Sequence, residues 1–304
     1  MSNPISDPKK AIVFHQAGIG DIVSALVVHE ALERAGFQVH VWIPERFRGL
    51  LSDTSYIEVR DPSAHEFDLL VDLTSNSQTR SMVKKTKAKH KLGGYRRFSQ
   101  WLKAWFLYDD FIYFITNAHH LVKDRYPVNK RLGIEAVAVP QLRVNRPVTK
   151  TGHVLLHIGA DNALRYLPMA TMESLVNRFH EQGLIVRLVG TEQARAQELL
   201  TRTKSKPLYE LGDMKQLVDW VRGARLVVGP DSGVFHLAGA LNTPALGVYG
   251  PNTVARAGSL SPTARHLEND FPCRPCNQRG CEFKQRCMET ISLAQISSLV
   301  QDLV

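Results

Sequence analysis

The sequence lacks any run of eighteen consecutive apolar residues, so it offers no stretch long enough for a membrane-spanning helix. Its opening, MSNPISDPKK, is not followed by the apolar core of a signal peptide. It leads into AIVFH, which reads as a first strand, and no secretory signal is expected. Cysteine is scarce: four occur in 304 residues, all between 273 and 287. With no secretory signal, that confinement argues against a disulfide framework and for metal ligation. The third glycine of the dinucleotide fingerprint is also missing. In HQAGIGDIVSA (15–25) the pattern is G-x-G-D, and the bulky Val23 stands where G-x-G-x-x-G needs glycine. No recognised nucleic-acid motif occurs, and no nucleic-acid partner is expected.

What is present fits a globular protein of two domains. The 44% hydrophobic and 22% charged content is ordinary, and 304 residues suit two units of about 150. The net charge of +9 is uneven: residues 1–150 hold 22 Lys and Arg against 15 Asp and Glu, and residues 151–304 hold 16 against 14. The basic field therefore belongs to the first half. It suits a nucleic acid, an anionic lipid or a phosphorylated substrate, and equally a solvated face with no partner.

Hydrophobic periodicity gives the organisation. AIVFH (11–15), FQVHVWI (37–43), YIEVR (56–60) and DLLVDL (68–73) read as strands, and an amphipathic helix over 21–36 follows the first. The polar, proline-containing stretch 140–152 reads as a linker. The pattern then restarts with strands HVLLHIG (153–159), LIVRLVG (184–190), RLVVG (225–229) and PALGVYG (244–250). Helices are expected over 171–182, from about 192, over 213–223 and from about 232. Strands alternating with helices predict an α/β architecture with parallel sheets, residues 1–148 forming one Rossmann-like domain and 149–304 a second.

Four segments carry candidate chemistry. In GPDSGVFH (229–236) a strand ends in a turn, and Asp231, Ser232 and Gly233 open a helix whose free N–H groups and positive dipole end suit a diphosphate. Asp231 would repel phosphate, so it is expected to accept hydrogen bonds from sugar hydroxyls or to cap the helix. An ordinary N-cap explains the same residues. Gly18, Gly20 and Asp21 occupy the first strand-to-helix turn, where a carboxylate can take a proton from an attacking hydroxyl or merely cap the helix. Residues 84–114 interleave Lys84, Lys85, Lys87, Lys89, Lys91, Arg96, Arg97 and Lys103 with Trp101, Trp105 and Phe106. That mixture suits an anionic membrane surface or a phosphorylated, lipid-linked acceptor, and a helix whose aromatics enter the core suits it as well. Finally, Cys273, Cys276, Cys281 and Cys287 follow C-x2-C-x4-C-x5-C, the ligand count of a closed tetrahedral zinc or iron site; reduced free thiols are the alternative.

One resemblance ties these segments together. Asp231, Ser232, Gly233, His236, Leu237, Ala238, Ala240, Leu241 and Pro244 fall in register with the D-[ST]-G-x-x-H-L-A-x-A-L-x-x-P signature of glycosyltransferase family 9, the heptosyltransferases. HIGADNALRYLP (157–168) is similar to that family's H-P-G-A-x-x-x-x-K-R-W-P loop, with Arg165 in place of the phosphate-binding lysine and Leu167 in place of tryptophan. The resemblance implies a GT-B fold, two Rossmann-like domains facing each other across a cleft. It implies an N-terminal domain for the acceptor, with Gly18, Gly20, Arg96 and Arg97 on the acceptor side and Asp21 as general base. The C-terminal domain would bind the donor through Gly159, Ala160, Arg165, Asp231, Ser232, Gly233 and His236. The implied reaction moves a sugar, with ADP-heptose the expected donor, to a lipopolysaccharide core or related glycan acceptor, with inversion and no metal in the chemistry. Cysteine-bearing tails in part of the family, including enzymes with an iron site, support a structural metal. The implied location is cytoplasmic, peripheral on the inner face of the membrane. A hexosyl or protein-directed variant, an NAD(P)-binding oxidoreductase and a basic nucleic-acid module are the rival functions.

Overall fold

The computed structural model describes residues 8–95, 100–113, 119–274, 276, 280–284, 286–301 and 303. The chain divides into two compact units, Met1–Asn145 and Arg146–Val304.

The first unit is built on strands β1 (Lys9–Phe14), β2 (Phe37–Trp42), β3 (Ile57–Glu58), β4 (Glu66–Asp72), β5 (Lys87–Tyr95) and β6 (Asp110–Tyr113). They pair in parallel in the order β3-β2-β1-β4-β5-β6. Successive strands are added on one side of β1 up to β3 and on its other side from β4 onward, so the β1/β4 boundary is a switch point. Ile12, Phe14, Trp42, Phe67, Leu70 and Val83 form one core cluster; each buried aliphatic or aromatic side chain contributes about 1.5–3 kcal/mol. The expected strand at 56–60 shrinks to two residues.

The basic segment departs most from expectation. Lys87–Tyr95 is a strand, where the hydrophobic periodicity marks no element. Its lysines alternate with half-buried residues, and two of them meet acids on the paired strand: Lys87 Nζ lies 2.9 Å from Glu66 and Lys89 Nζ 2.6 Å from Asp68. These pairs neutralise part of the field that the sequence suggested. Beyond it, the short helix Trp101–Trp105 keeps Ala104 in the core. Leu102, Trp105 and Phe106 stay exposed, so only part of the aromatic set is structural.

The second unit repeats the plan with β7 (Val154–His157), β8 (Val186–Val189), β9 (Leu208–Tyr209), β10 (Leu226–Pro230), β11 (Ala245–Tyr249) and β12 (Ala264–Glu268), in the order β12-β11-β10-β7-β8-β9 and again all parallel. Strands β7, β10 and β11 are buried along their whole length, as a sheet covered on both faces requires. The helices Met169–Glu181, Gln193–Arg202, Met214–Gly223 and Gly233–Ala240 fall where the periodicity places them. Among the described residues no helix is long and apolar enough to cross a membrane.

Candidate functional site

The candidate site of the second unit lies at the carboxyl ends of β7 and β10, where parallel strands deliver loops to a ligand. After β10, Ser232 takes an extended conformation as N-cap of the helix Gly233–Ala240, yet its side chain makes no capping bond. Its Oγ instead lies 2.9 Å from Nδ1 of His157, the last residue of β7. His157 is buried, and that burial pushes its pKa down to about 4, so the ring is neutral at pH 7. Ser232 therefore leaves the first turn of this helix without a cap from its own side chain.

Asp231 is 4% exposed and is gripped from three sides. Asn252 Nδ2 donates to it at 2.9 Å, His236 Nε2 stands 3.5 Å away and Arg165 Nη1 3.6 Å away. Burial alone would raise its pKa; His236, Arg165 and Asn252 outweigh that and hold the carboxyl below the usual aspartate value. Asp231 is therefore an ionised anchor for Arg165, not the N-cap.

Arg165 ends a short 3-10 turn, Ala163–Arg165, in the loop after β7. Arg195 closes that loop by donating to Ile158 O at 3.1 Å and Leu167 O at 2.8 Å. Leu167, 2% exposed, is a core residue. Gly159 sits against the Glu192 carboxylate so closely that a Cβ there would overlap it. Ala160 follows, half-buried. Glu192 Oε1 accepts from Tyr166 OH at 3.1 Å, while the buried Oε2 has no hydrogen-bond partner. The structure thus brings Gly159, Ala160, Arg165, Asp231, Ser232, Gly233 and His236 together at one edge of the sheet. To these it adds His157, Glu192 and Asn252, to which the sequence reading gave no role. Glu192 and Asn252 each stand three residues beyond the end of a parallel strand, β8 and β11. That placement was the available signal.

In the first unit, Gly18 is the N-cap of the helix Ile19–Ser24. Asp21 is therefore the third helical residue rather than the cap. Its exposed carboxylate folds back to accept Gly18 N–H at 3.1 Å, while Gly20 is the half-buried second residue of that helix. Arg96 and Arg97 lie outside the described residues. Beside the turn, at the end of β4, Asp72 is buried and accepts from Thr74 N (3.0 Å), Ser75 N (2.8 Å) and Tyr108 OH (2.7 Å).

The cysteines follow β12. Cys273, Cys276 and Cys281 are partly buried and Cys287 is buried. Burial raises the Cys287 pKa first, and the nearby thiols of Cys273, Cys281 and Cys276 add to it. Among the described residues no three His, Cys, Asp or Glu side chains are arranged to hold a metal ion.

Two Rossmann-like units of six parallel strands define a GT-B fold, and solved structures agree. The E. coli heptosyltransferase WaaC with ADP superposes with a TM-score of 0.78 at 14% identity, covering 97% of this chain and 100% of that one. The iron-containing dodecameric glycosyltransferase TibC from enterotoxigenic E. coli H10407 gives 0.62 at 12% identity, covering 98% and 76%. The lipopolysaccharide heptosyltransferase 1 of Pseudomonas aeruginosa is 31% identical over 134 residues; that match covers 43% of this chain and only 38% of the relative. The model of glycosyltransferase family 9 (heptosyltransferase) matches residues 60–286. The chain belongs to glycosyltransferase family 9.

Proposed function

We propose that the protein transfers heptose from ADP-heptose, with inversion, to a lipopolysaccharide core or related glycan acceptor. The observation that carries this reading is the convergence of Arg165, buried Asp231 and the uncapped start of the helix Gly233–Ala240 at the carboxyl end of β10. A diphosphate placed there meets a guanidinium and free backbone N–H groups, which offset the charge that develops on the leaving group. Asp231 holds Arg165 and His236 rather than meeting phosphate itself. Ser232 and Gly233 face the diphosphate, and Gly159 and Ala160 belong to the loop beside it, where Gly159 makes space for the Glu192 carboxylate. The half-buried Glu192 side chain, packed against Gly159 in this loop, supports a hydrogen bond from a ribose hydroxyl of the nucleotide to its carboxylate. Asp21, at the first strand-to-helix turn of the N-terminal unit, takes the proton of the acceptor hydroxyl as it attacks the anomeric carbon.

The exposed Leu102, Trp105 and Phe106, with Lys103 beside them, support contact with an anionic membrane or a phosphorylated, lipid-linked acceptor, and so a peripheral location on the cytoplasmic membrane face. For the cysteines, the spacing and the mutual influence of the thiols support a structural zinc or iron; the side chains are not drawn into a ligand set, and no step of the reaction passes through a metal. Metal analysis of chain purified without chelator decides this, and less than about a tenth of an equivalent refutes ligation.

Calorimetric titration with ADP, UDP, NAD and a short oligonucleotide, followed by a donor screen with product read on lipopolysaccharide core, tests the main reading. Preference for ADP and ADP-heptose is expected. Preference for UDP-sugars would move the protein to hexosyl transfer, and tight binding of NAD or oligonucleotide would overturn the assignment.

A further inference from the structure

The cysteine segment reaches the same sheet edge as the candidate donor site. Three successive residues after β11 are each held by it. Gly250 packs so tightly that a Cβ there would overlap Met288 and stand 3.3 Å from Cys287 Sγ. Pro251 O accepts the backbone N–H of Cys276 at 3.1 Å. Asn252 O accepts from Arg274 Nη2 at 2.6 Å. Arg274, between Cys273 and Cys276, is itself fixed: its side chain is 7% exposed, pairs with Glu268 and donates to Asn269 O. Glu268 in turn accepts Val254 N–H at 3.0 Å, so the stretch 250–254 is held from both ends. The Asn252 side chain then donates to Asp231.

We propose that Arg274 and Asn252 are positioning residues for the nucleotide-sugar donor, and that the cysteine segment braces the donor site through them. The chain of contacts runs Arg274 to Asn252 backbone, Asn252 side chain to Asp231, Asp231 to Arg165. The buried guanidinium holds the backbone carbonyl of Asn252 and so fixes the point from which the Asn252 side chain reaches one carboxylate oxygen of Asp231. That leaves the other oxygen for His236, which stands 3.5 Å from Oδ1. Releasing Asn252 frees Asp231 to rotate and Arg165 to follow it, and Arg165 then no longer waits where the diphosphate arrives. The inference rests on the donor reading given above.

ADP is the probe, titrated calorimetrically against the full-length chain and against Asn252→Ala, Arg274→Met, Arg274→Lys and the double variant Asn252→Ala/Arg274→Met. Native chain should bind ADP, and each single removal should weaken binding about tenfold, the size of one hydrogen bond to a charged group. Arg274→Lys should recover part of the loss, because it keeps a donor for Asn252 O. If Arg274 acts through Asn252, the double variant loses no more than Asn252→Ala alone. Additive losses, or native-like ADP binding in Asn252→Ala, would overturn the brace. Asn252→Ala keeps the test decisive if Arg274→Met does not fold, since it leaves the buried guanidinium in place. Failure of the native chain to bind ADP would instead remove the donor assignment itself, and the brace with it.

Discussion

Arg165→Met is the most informative perturbation, because it removes the charge facing Asp231 while keeping the bulk of the side chain. At 3.6 Å and an effective dielectric of about 20, the gross attraction between the guanidinium and the carboxylate is about 5 kcal/mol. Two effects reduce the net loss. Arg165 is 23% exposed, so solvent screens part of the attraction, and His236 and Asn252 still hold the carboxylate. A destabilisation of about 1–3 kcal/mol at pH 7 is expected, below the cost of orphaning a fully buried charge. Its pH dependence has a definite sign. Asp231 carries a folded-state pKa below its ordinary value, so the pair's contribution is present at neutral pH and is lost as pH falls through that lowered pKa. Urea unfolding of native and variant chains should therefore differ at pH 7 and converge below about pH 4. ADP affinity should fall about 10- to 100-fold in the same variant, since a diphosphate loses its cation. Equal stability at pH 7, or a gap that persists unchanged to pH 3, would refute the electrostatic account of Asp231.

Three further outcomes are expected. Asp21→Asn should reduce single-turnover transfer about 10²- to 10⁴-fold with ADP affinity little changed, and near-native turnover would remove the base assignment. Gly159→Ala should weaken ADP binding in a titration, because the added Cβ displaces the Glu192 carboxylate; unchanged affinity would detach Glu192 from the nucleotide. His29 is fully buried, neither ring nitrogen has a hydrogen-bond partner, and burial lowers its pKa to about 3. The unfolded chain protonates this ring below about pH 6.5 while the folded chain does not, so stability falls between those values by about 1.4 kcal/mol per pH unit. His29→Phe should flatten that slope in acid unfolding curves, and an unaltered slope would exclude His29 as its source.

The sequence made the second unit easier to read than the first. VLLH, LVVGP and ALGVY are continuous apolar runs because both faces of their sheet are covered, and such runs need no partner to be recognised. Strand β5 hid itself for the opposite reason. Its amino-terminal half, Lys87 to Lys91, pairs only with β4, since β6 joins the sheet at Leu92. That half is in effect an edge, where lysines are tolerated and even useful. The pairing of Lys87 with Glu66 and Lys89 with Asp68 follows from register, which spacing along the chain does not display. The site shows the same division. Asp231 to His236 form a contiguous stretch with a recognisable signature. His157, Glu192, Asn252 and Arg274 come from four separate loops and strand ends, and only folding gathers them.

The bond between Ser232 and His157 gives the helix start a preference for one arrangement of protons. A neutral imidazole carries one ring hydrogen, on either Nδ1 or Nε2. With the hydrogen on Nε2, Nδ1 must accept, and Ser232 spends its own hydrogen on the ring. With it on Nδ1, the ring donates to Ser232 Oγ and the hydroxyl is free to donate elsewhere. Phosphate oxygens only accept, so an anion that takes the Ser232 hydrogen selects the Nδ1–H tautomer. Occupancy of the helix start is then written into the nitrogen chemical shifts of a ring that need not touch the ligand at all.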